Sequence, residues 1–277
     1  MRQPRLPLLL GLSGLALLST TPLSAQSDDA RWLRQCQDDH YGSDNKEQFC
    51  EIRHTGFKPG SASLTIDPDQ NGGAEIVGWD RDSVAVTIRI QAGASSAEEA
   101  KDLARQISVK AGGSEVSVDG PSSGRHQQWS VILVLMVPRK SGLEVSTVNG
   151  PLSVEGVMGR MDLRAQNGPV SLRQVGGDVE ARVQNGPLDV TLAGTGWDGK
   201  GLDAETVNGP VTLGLPDGYN ANLETGTING PMDLQVPLTV TLLGRNRDRI
   251  HTTLGKGGAP VRVVTTNGPI TIRKARS

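Results

Sequence analysis

One tripeptide, Asn-Gly-Pro, recurs six times in the second half of this 277-residue chain. Successive copies are 18, 18, 23, 21 and 38 residues apart, and the last interval is close to two turns with one copy missing. A nearly constant spacing is typical of repeat proteins, in which each unit packs on its neighbours. The spacing therefore predicts stacked repeats of about 18 to 23 residues over residues 142–277. The asparagines are Asn149, Asn167, Asn185, Asn208, Asn229 and Asn267.

Apolar residues alternate with polar ones on both sides of the tripeptide. They stand six residues before each asparagine and one and three residues after each proline, as at Leu143, Leu152 and Val154. A period of two indicates strands, so each unit supplies one strand that enters the tripeptide and one that leaves it. A β-solenoid and an antiparallel sandwich of hairpins both remain open. The proline, which removes a backbone donor, and the constant offsets favour the β-solenoid.

The asparagine has a structural role in this prediction. Asparagine tolerates left-handed backbone angles, and its side-chain amide both donates and accepts hydrogen bonds. We therefore expect the six side chains to form a ladder at one corner of the stack, rather than a ligand site.

An acidic residue stands five positions before the asparagine in the first five units, and Arg262 takes this position in the last. Because the flanking positions are apolar, these side chains point outward in a row. Neighbouring carboxylates repel each other by roughly 1 kcal/mol in water, and Arg164 and Arg182 lie on the same face to neutralise the row. A solvated polar face and a stripe that binds a divalent cation both fit this pattern. The acidic residues of this candidate binding stripe are Glu144, Asp162, Glu180, Asp203 and Glu224.

Residues 1–25 have the features of a secretory signal peptide. Arginines precede an apolar run from Leu6 to Leu18, and the small residue Ala25 follows a short polar stretch. The run is shorter than the roughly 20 residues that span a bilayer, so we expect no stable membrane insertion after cleavage. This pattern predicts a periplasmic or secreted protein.

Export favours a disulfide between the two cysteines of the chain, Cys36 and Cys50. It would staple the polar N-terminal segment 26–56. The nearby histidines, His40 and His54, do not match the spacing of a zinc site, so the sequence predicts no metal site and no cofactor.

Residues 57–141 follow a different pattern, which indicates a small α+β cap before the repeats. Apolar residues alternate from Val84 to Ile90, Ser95 and Glu98 form a capping box that opens a helix, and an apolar strand, Val131–Val137, ends at Pro138. We expect this region to protect the first edge of the stack, and basic residues to blunt the last edge. The basic residues are Arg273, Lys274 and Arg276.

Composition excludes several classes of function. The formal net charge is −2 and aromatic residues make up 3% of the chain, so neither a nucleic-acid-binding surface nor an aromatic-lined pocket is expected. A Gly-x-Gly-x-x-Gly motif at Gly194 is followed by strand pattern instead of the helix that a nucleotide site needs. The acidic residues are spread evenly by the repeat and do not form one opposed pair. An enzyme acting on polysaccharide, with Asp189 and Asp233 beside the acidic row, is the alternative to a binding protein.

Three groups of residues resemble the bacterial putative adhesin family, a domain of unknown function found in envelope proteins. They are the segment Ile76–Asp80, the strand Trp129–Pro138 that runs into Gly142–Val145, and the repeated Asn-Gly-Pro units. The resemblance covers Ser61 to Arg273, and the proline departs from the aspartate that is common in that family. It implies an exported, solenoid-like protein without enzymatic activity. Our leading hypothesis is a scaffold or binding module whose flat repeat faces contact an envelope protein or a glycan.

Overall fold

The structure, a computed structural model, describes residues 23–38, 47–122, 124, 126–236 and 249–275, with the side chains of the first helix described from Asp28 onward. The predicted signal peptide, except for its last three residues, and Arg276 lie outside the described residues. The described chain is mainly β and contains two helices and twenty strands in two ten-stranded sheets, A and B.

The first part of the chain contains α1 (Leu23–Asp38), β1 (Glu47–Phe57), β2 (Ser63–Asp67), β3 (Gly72–Trp79), β4 (Val84–Ala94), α2 (Ala97–Gln106), β5 (Ser108–Gly112), β6 (Glu115–Asp119) and β7 (Gln128–Pro138). The repeat region contains β8 (Gly142–Asn149), β9 (Leu152–Glu155), β10 (Met158–Asn167), β11 (Val170–Arg173), β12 (Gly176–Asn185), β13 (Leu188–Thr191), β14 (Gly201–Asn208), β15 (Val211–Leu215), β16 (Ala221–Asn229), β17 (Met232–Leu234), β18 (Arg249–Leu254), β19 (Pro260–Asn267) and β20 (Ile270–Lys274).

Each repeat forms one rung, defined here as a strand of sheet B followed by a strand of sheet A. Neighbouring rungs pair in parallel in both sheets, so that each asparagine lies beside the asparagine of the next rung, as Asn149 does beside Asn167. The expectation that like residues stack on like residues is therefore met in the paired strands. Eight rungs are described, in the spatial order β6–β7, β2–β3, β8–β9, β10–β11, β12–β13, β14–β15, β19–β20 and β16–β17.

The stack begins before the predicted boundary at residue 142. Strands β2 and β3 pair in parallel with β8 and β9, and they lie between the β8–β9 rung and the β6–β7 rung. Two rungs therefore come from the region predicted to be only a cap. The sequence hides them because they lack the Asn-Gly-Pro tripeptide, and Gln70 occupies the corner beside Asn149.

The order of the last two repeats in space is the reverse of their order in the chain. The β19–β20 rung lies between β14–β15 and β16–β17. The interpretation of the 38-residue interval as two successive turns is therefore wrong. The chain first places the β16–β17 rung one position further out and adds β18 antiparallel to β16. It then returns and forms the β19–β20 rung between the β14–β15 and β16–β17 rungs.

The core lies between the two sheets. Inward side chains alternate with outward ones in β8, β10 and β12, as the period of two predicts, and inward residues such as Leu143, Leu163 and Val190 are buried. Burial of apolar area of this kind is the main stabilising contribution to such a fold. Four buried threonines near the corner, Thr206, Thr225, Thr227 and Thr265, donate hydrogen bonds to backbone carbonyls, as Thr206 does to Gly186 at 3.0 Å.

The glycine of each tripeptide is required by the close approach of stacked corners. A Cβ atom at Gly186 would lie 2.0 Å from the carbonyl oxygen of Gly168, and one at Gly209 would lie 2.0 Å from that of Gly186. The same contact recurs from Gly150 to Gly230, so any larger residue at these positions would separate the rungs.

The asparagine side chains form a continuous hydrogen-bonded ladder along this corner. Asn167 Nδ2 donates to Asn149 Oδ1 at 3.0 Å, and each next amide donates in the same direction at 2.8 to 2.9 Å. The ladder ends at Gln70, whose backbone carbonyl oxygen accepts a hydrogen bond from Asn149 Nδ2. Because the last rung is inserted, Asn267 lies between Asn208 and Asn229.

The N-terminal segment packs across the outside of sheet A. The predicted disulfide between Cys36 and Cys50 is confirmed and joins α1 to β1. Asp29 of α1 pairs with His54 at 3.2 Å and lies 3.7 Å from Arg89. The sequence analysis predicted a polar segment here but not the helix.

Helix α2 packs on β4 and β1 and buries Ala100, Leu103 and Ala104. Its N-cap is Ser96, whose hydroxyl accepts from the backbone of Glu99, so the predicted capping box at Ser95 is displaced by one residue.

Candidate functional site

The outward side of sheet B carries three parallel rows of side chains, which we call the sheet B face. In β8, β10, β12 and β14, the residues five, three and one positions before the asparagine point outward. The rows run along the stack at the rung spacing of about 4.8 Å. The first is the charged row, Glu144, Asp162, Glu180, Asp203, Arg262 and Glu224; the second is the middle row, Ser146, Arg164, Arg182 and Glu205; the third is the corner row, Val148, Gln166, Gln184 and Val207.

Arginines of the middle row pair with carboxylates of the charged row. Arg164 binds Asp162 on its own strand at 2.9 Å. Arg182 lies 3.2 Å from Glu180 and 2.7 Å from Asp203 on the next strand. These pairs neutralise the central carboxylates, which removes much of the repulsion expected between stacked acidic residues.

Arg262 lies inside the charged row and not at its end. Because the β19–β20 rung is inserted, its guanidinium lies 2.7 Å from Asp203, 3.0 Å from Glu205 and 3.5 Å from Glu224. The interpretation of five consecutive stacked carboxylates is therefore corrected: one arginine separates the last two. Arg249 of β18 adds a second cation beside Glu224 at 3.1 Å.

The electrostatics of this network stabilise its charged forms. Partial burial opposes ionisation of Asp203, but hydrogen bonds from Arg182 and Arg262 outweigh it and hold the pKa of this carboxyl below its usual value. Burial likewise disfavours the charged Arg262, whereas hydrogen bonds to Asp203 and Glu205 raise its pKa. These carboxylates therefore already form ion pairs with arginine side chains.

A shallow, open depression of about 420 Å³ lies on the sheet B face beside the asparagine ladder. Arg164 and Arg182 form one side and the corner row forms the other, across strands β8, β10, β12 and β14. Within the described part of the chain, no hydrogen bond involves the exposed side-chain amides of Gln166 and Gln184. Val207 is 40% exposed, although it is apolar.

The sequence analysis did not single out the corner row. A signal was present, because the residue just before each asparagine is Val, Gln, Gln and Val in the first four units. These uncharged residues carry no recognised motif, so only their alignment across neighbouring strands identifies them as a surface.

The structure does not bring together the carboxylates considered for catalysis. Asp189 and Asp233 point outward from sheet A, on the opposite side of the molecule from the sheet B face. Strands β15 and β20 lie between their strands, which places them three rungs, or about 14 Å, apart. Paired carboxylates of glycoside hydrolases lie within about 9.5 Å of each other.

Among the residues that the structure describes, no group of three or more His, Cys, Asp or Glu side chains is placed to hold a metal ion. No helix in the same part of the chain has both the length and the apolar character to cross a membrane.

These observations define a mainly β repeat protein with stacked parallel rungs and flat outward faces. The chain belongs to the Toastrack DUF4097 family, whose model matches residues 71–273. No curated protein sequence matches the chain.

Solved structures from several bacteria match the chain at low sequence identity. A putative cell adhesion protein from Clostridium sporogenes is 13% identical and has a TM-score of 0.40, and the similarity covers 82% of this chain and 100% of that one. A putative adhesin from Bacteroides fragilis is 8% identical, with a TM-score of 0.31 and coverage of 81% and 97%. A putative lipid binding protein from Parabacteroides distasonis is 10% identical, with a TM-score of 0.30 and coverage of 84% and 98%. At these values the similarities carry no argument about function.

Proposed function

We propose that the protein is an exported, non-enzymatic binding module of the cell envelope that contacts an envelope protein or glycan through the sheet B face. In this proposal the stacked rungs act as a β-solenoid of about 18 to 23-residue units, which includes the β2–β3 and β6–β7 rungs that precede residue 142. The stack is a rigid support, and the outward rows provide the contacts.

One observation carries this proposal: outward side chains on sheet B form continuous rows across parallel strands, beside a depression that is open to solvent. Such a surface presents repeated groups to an extended partner, as concave and flat faces of repeat proteins do. Family membership and the disulfide, which suits an oxidising compartment, are consistent with it. The alternative, an enzyme acting on polysaccharide, needs converging carboxylates, and no observation favours it.

Blocking the sheet B face tests the proposal. Gln184→Cys, modified with a polyethylene glycol chain, covers the depression, whereas Thr212→Cys with the same modification covers the outward side of sheet A. We expect the first conjugate to lose co-sedimentation with cell envelopes isolated from the source bacterium, and the second to retain it. Equal sedimentation of the two conjugates would show that the sheet B face is not the binding surface.

Export is tested separately. If residues 1–25 are a cleaved signal peptide, the mature protein begins at Gln26 and is recovered outside the cytoplasm. Mass spectrometry of the N-terminal peptide from fractionated cells measures this. Recovery of the intact N-terminus in the cytoplasmic fraction would contradict the proposed location.

A further inference from the structure

We infer that the depression on the sheet B face binds an uncharged glycan chain of the envelope, which lies along the stack axis and crosses strands β8, β10, β12 and β14. This inference rests on the proposed function and names the chemical class of the partner. Four features support it: the pairing of the local charges, the unpaired side-chain amides of Gln166 and Gln184, the unused hydrogen-bonding groups of the asparagine ladder and the apolar side chains beside the glutamines.

The charged groups around the depression bind mainly one another. Arg164 is held by Asp162, Arg182 by Glu180 and Asp203, and Glu205 by Arg262. An anionic or cationic partner would have to compete with these pairs. An uncharged partner leaves them intact, so the charge distribution favours an uncharged ligand.

The groups that remain free can both donate and accept hydrogen bonds. A side-chain amide has two N–H donors and an oxygen with two lone pairs. Gln166 and Gln184 lie on neighbouring strands, and their exposed side-chain amides form no hydrogen bond with any other described residue. Sugar hydroxyl groups are also both donors and acceptors, so they match amides better than carboxylates or ammonium groups do.

The asparagine ladder extends this set of groups. Within the ladder, Asn167 donates one N–H to Asn149 and accepts one from Asn185. These bonds leave one N–H and one lone pair of such an amide unused. The ladder asparagines are exposed, and Asn149, Asn167, Asn185 and Asn208 each directly follow a residue that lines the depression. Each rung therefore offers a glutamine or valine side chain and part of an asparagine amide, repeated about every 4.8 Å.

Apolar side chains lie at both ends of the glutamine pair. Val148 precedes Gln166, and the 40% exposed Val207 follows Gln184 along the corner row. The C–H surfaces of a sugar ring can cover these side chains while its hydroxyl groups reach the amides. Since none of the described residues that line the depression is aromatic, affinity depends on contacts to several rungs at once.

Titration with chitohexaose, an uncharged chain of N-acetylated sugars, tests the inference. The readout is the NMR signals of the side-chain amides in the folded protein. We expect the signals of Gln166 and Gln184 to shift, and hexagalacturonate, an anionic chain, to leave them unchanged. The double variant Gln166→Ala/Gln184→Ala should bind chitohexaose about tenfold more weakly, which corresponds to the loss of one or two amide hydrogen bonds. The matched control, Gln106→Ala/Gln127→Ala, replaces exposed glutamines elsewhere and should bind like the wild type.

Three outcomes would overturn the inference: no shift with chitohexaose, equal shifts with hexagalacturonate, or equal weakening by the control variant. The envelope test separates this failure from that of the proposed function. If the Gln184 conjugate loses envelope binding but chitohexaose shifts no amide signal, the sheet B face is a binding surface for another class of partner. If neither effect occurs, the proposed function is wrong as well.

Discussion

At the scale of single residues, each letter of the Asn-Gly-Pro tripeptide has a different physical role. The asparagine connects neighbouring corners through its side chain, and the glycine allows their backbones to approach. The proline lacks an N–H, but its carbonyl oxygen accepts from the preceding rung, as Pro169 accepts from the backbone N–H of Leu152 at 2.9 Å. The tripeptide therefore stacks without a lost ladder hydrogen bond, and one missing donor does not interrupt the sheet.

The glycine contact gives the first prediction. Gly186→Ala places a Cβ atom 2.0 Å from the carbonyl oxygen of Gly168, a clash that only separation of the rungs relieves. We expect a loss of at least about 3 kcal/mol in the free energy of unfolding, measured by urea denaturation. Gly112→Ala is the control, because nothing lies within 4 Å of its added Cβ atom. Equal losses in the two variants would show that corner packing does not require glycine.

The second prediction concerns the arginine inside the charged row. Arg262→Ala leaves Asp203 and Glu224 without this cation between them, in a partly buried position. We expect destabilisation by about 2 kcal/mol, from lost pairing and from repulsion between carboxylates. Arg164→Ala removes an exposed pair with Asp162 and should cost less than about 1 kcal/mol. A smaller effect at Arg262 than at Arg164 would contradict the proposed role.

The third prediction is a dependence on pH that comes from Asp203. Its pKa is lowered in the folded protein by Arg182 and Arg262 in spite of partial burial, and an unfolded aspartate titrates near about 3.9. Stability from this group is therefore present above about pH 4 and is lost as the pH falls through the folded pKa. The melting-temperature difference between wild type and Asp203→Asn should shrink on acidification. A difference that grows in acid would reverse the assigned sign.

At the scale of strands and helices, elements with a regular apolar pattern were predicted from the sequence, and the helix without such a pattern was not. The strands around the Asn-Gly-Pro copies follow directly from apolar alternation, and so does β4, which begins at the predicted Val84. Helix α2 was predicted within one residue because its cap and its apolar face agree. Helix α1 was missed because its sequence is polar and its contacts, the disulfide and the Asp29 pairs, depend on partners distant in sequence.

The fourth prediction follows from the attachment of α1. In the variant Cys36→Ser/Cys50→Ser, α1 keeps its contacts through Asp29 but loses its covalent link to β1. We expect the fluorescence of Trp32 to shift toward that of an exposed tryptophan, while circular dichroism of the β-rich stack is unchanged. The closed loop of about 15 residues is worth roughly 3 kcal/mol in the chain-entropy model. Loss of the β-sheet signal together with the Trp32 shift would show that α1 is part of the core.

At the scale of the whole molecule, the sequence defines the rungs but not all of their neighbours. The six Asn-Gly-Pro corners are chemically alike, so nothing in the corner itself states that Asn267 stacks between Asn208 and Asn229. The distinguishing signal is electrostatic: Arg262 is the basic member of the charged row, and it lies where carboxylates surround it on three sides. The rows follow from the apolar alternation and the repeat spacing, whereas the order of their members does not, and no motif in the sequence singles out Gln166 and Gln184.

The insertion of the last rung leads to the final prediction, a strong dependence of stability on the C-terminal residues. Truncation after Ala259 removes β19 and β20, which pair with strands on both sides. Closing the gap would stack β16 on β14 and bring Glu224 against Asp203 without Arg262. We therefore expect the whole repeat region to lose cooperative unfolding, measured by denaturation and by hydrogen exchange of β12 and β14. Truncation after Lys274, which leaves β20 complete, should preserve it. If the chain truncated after Ala259 unfolds as cooperatively as the chain truncated after Lys274, the inserted rung is not required for the stability of the stack, and this prediction is wrong.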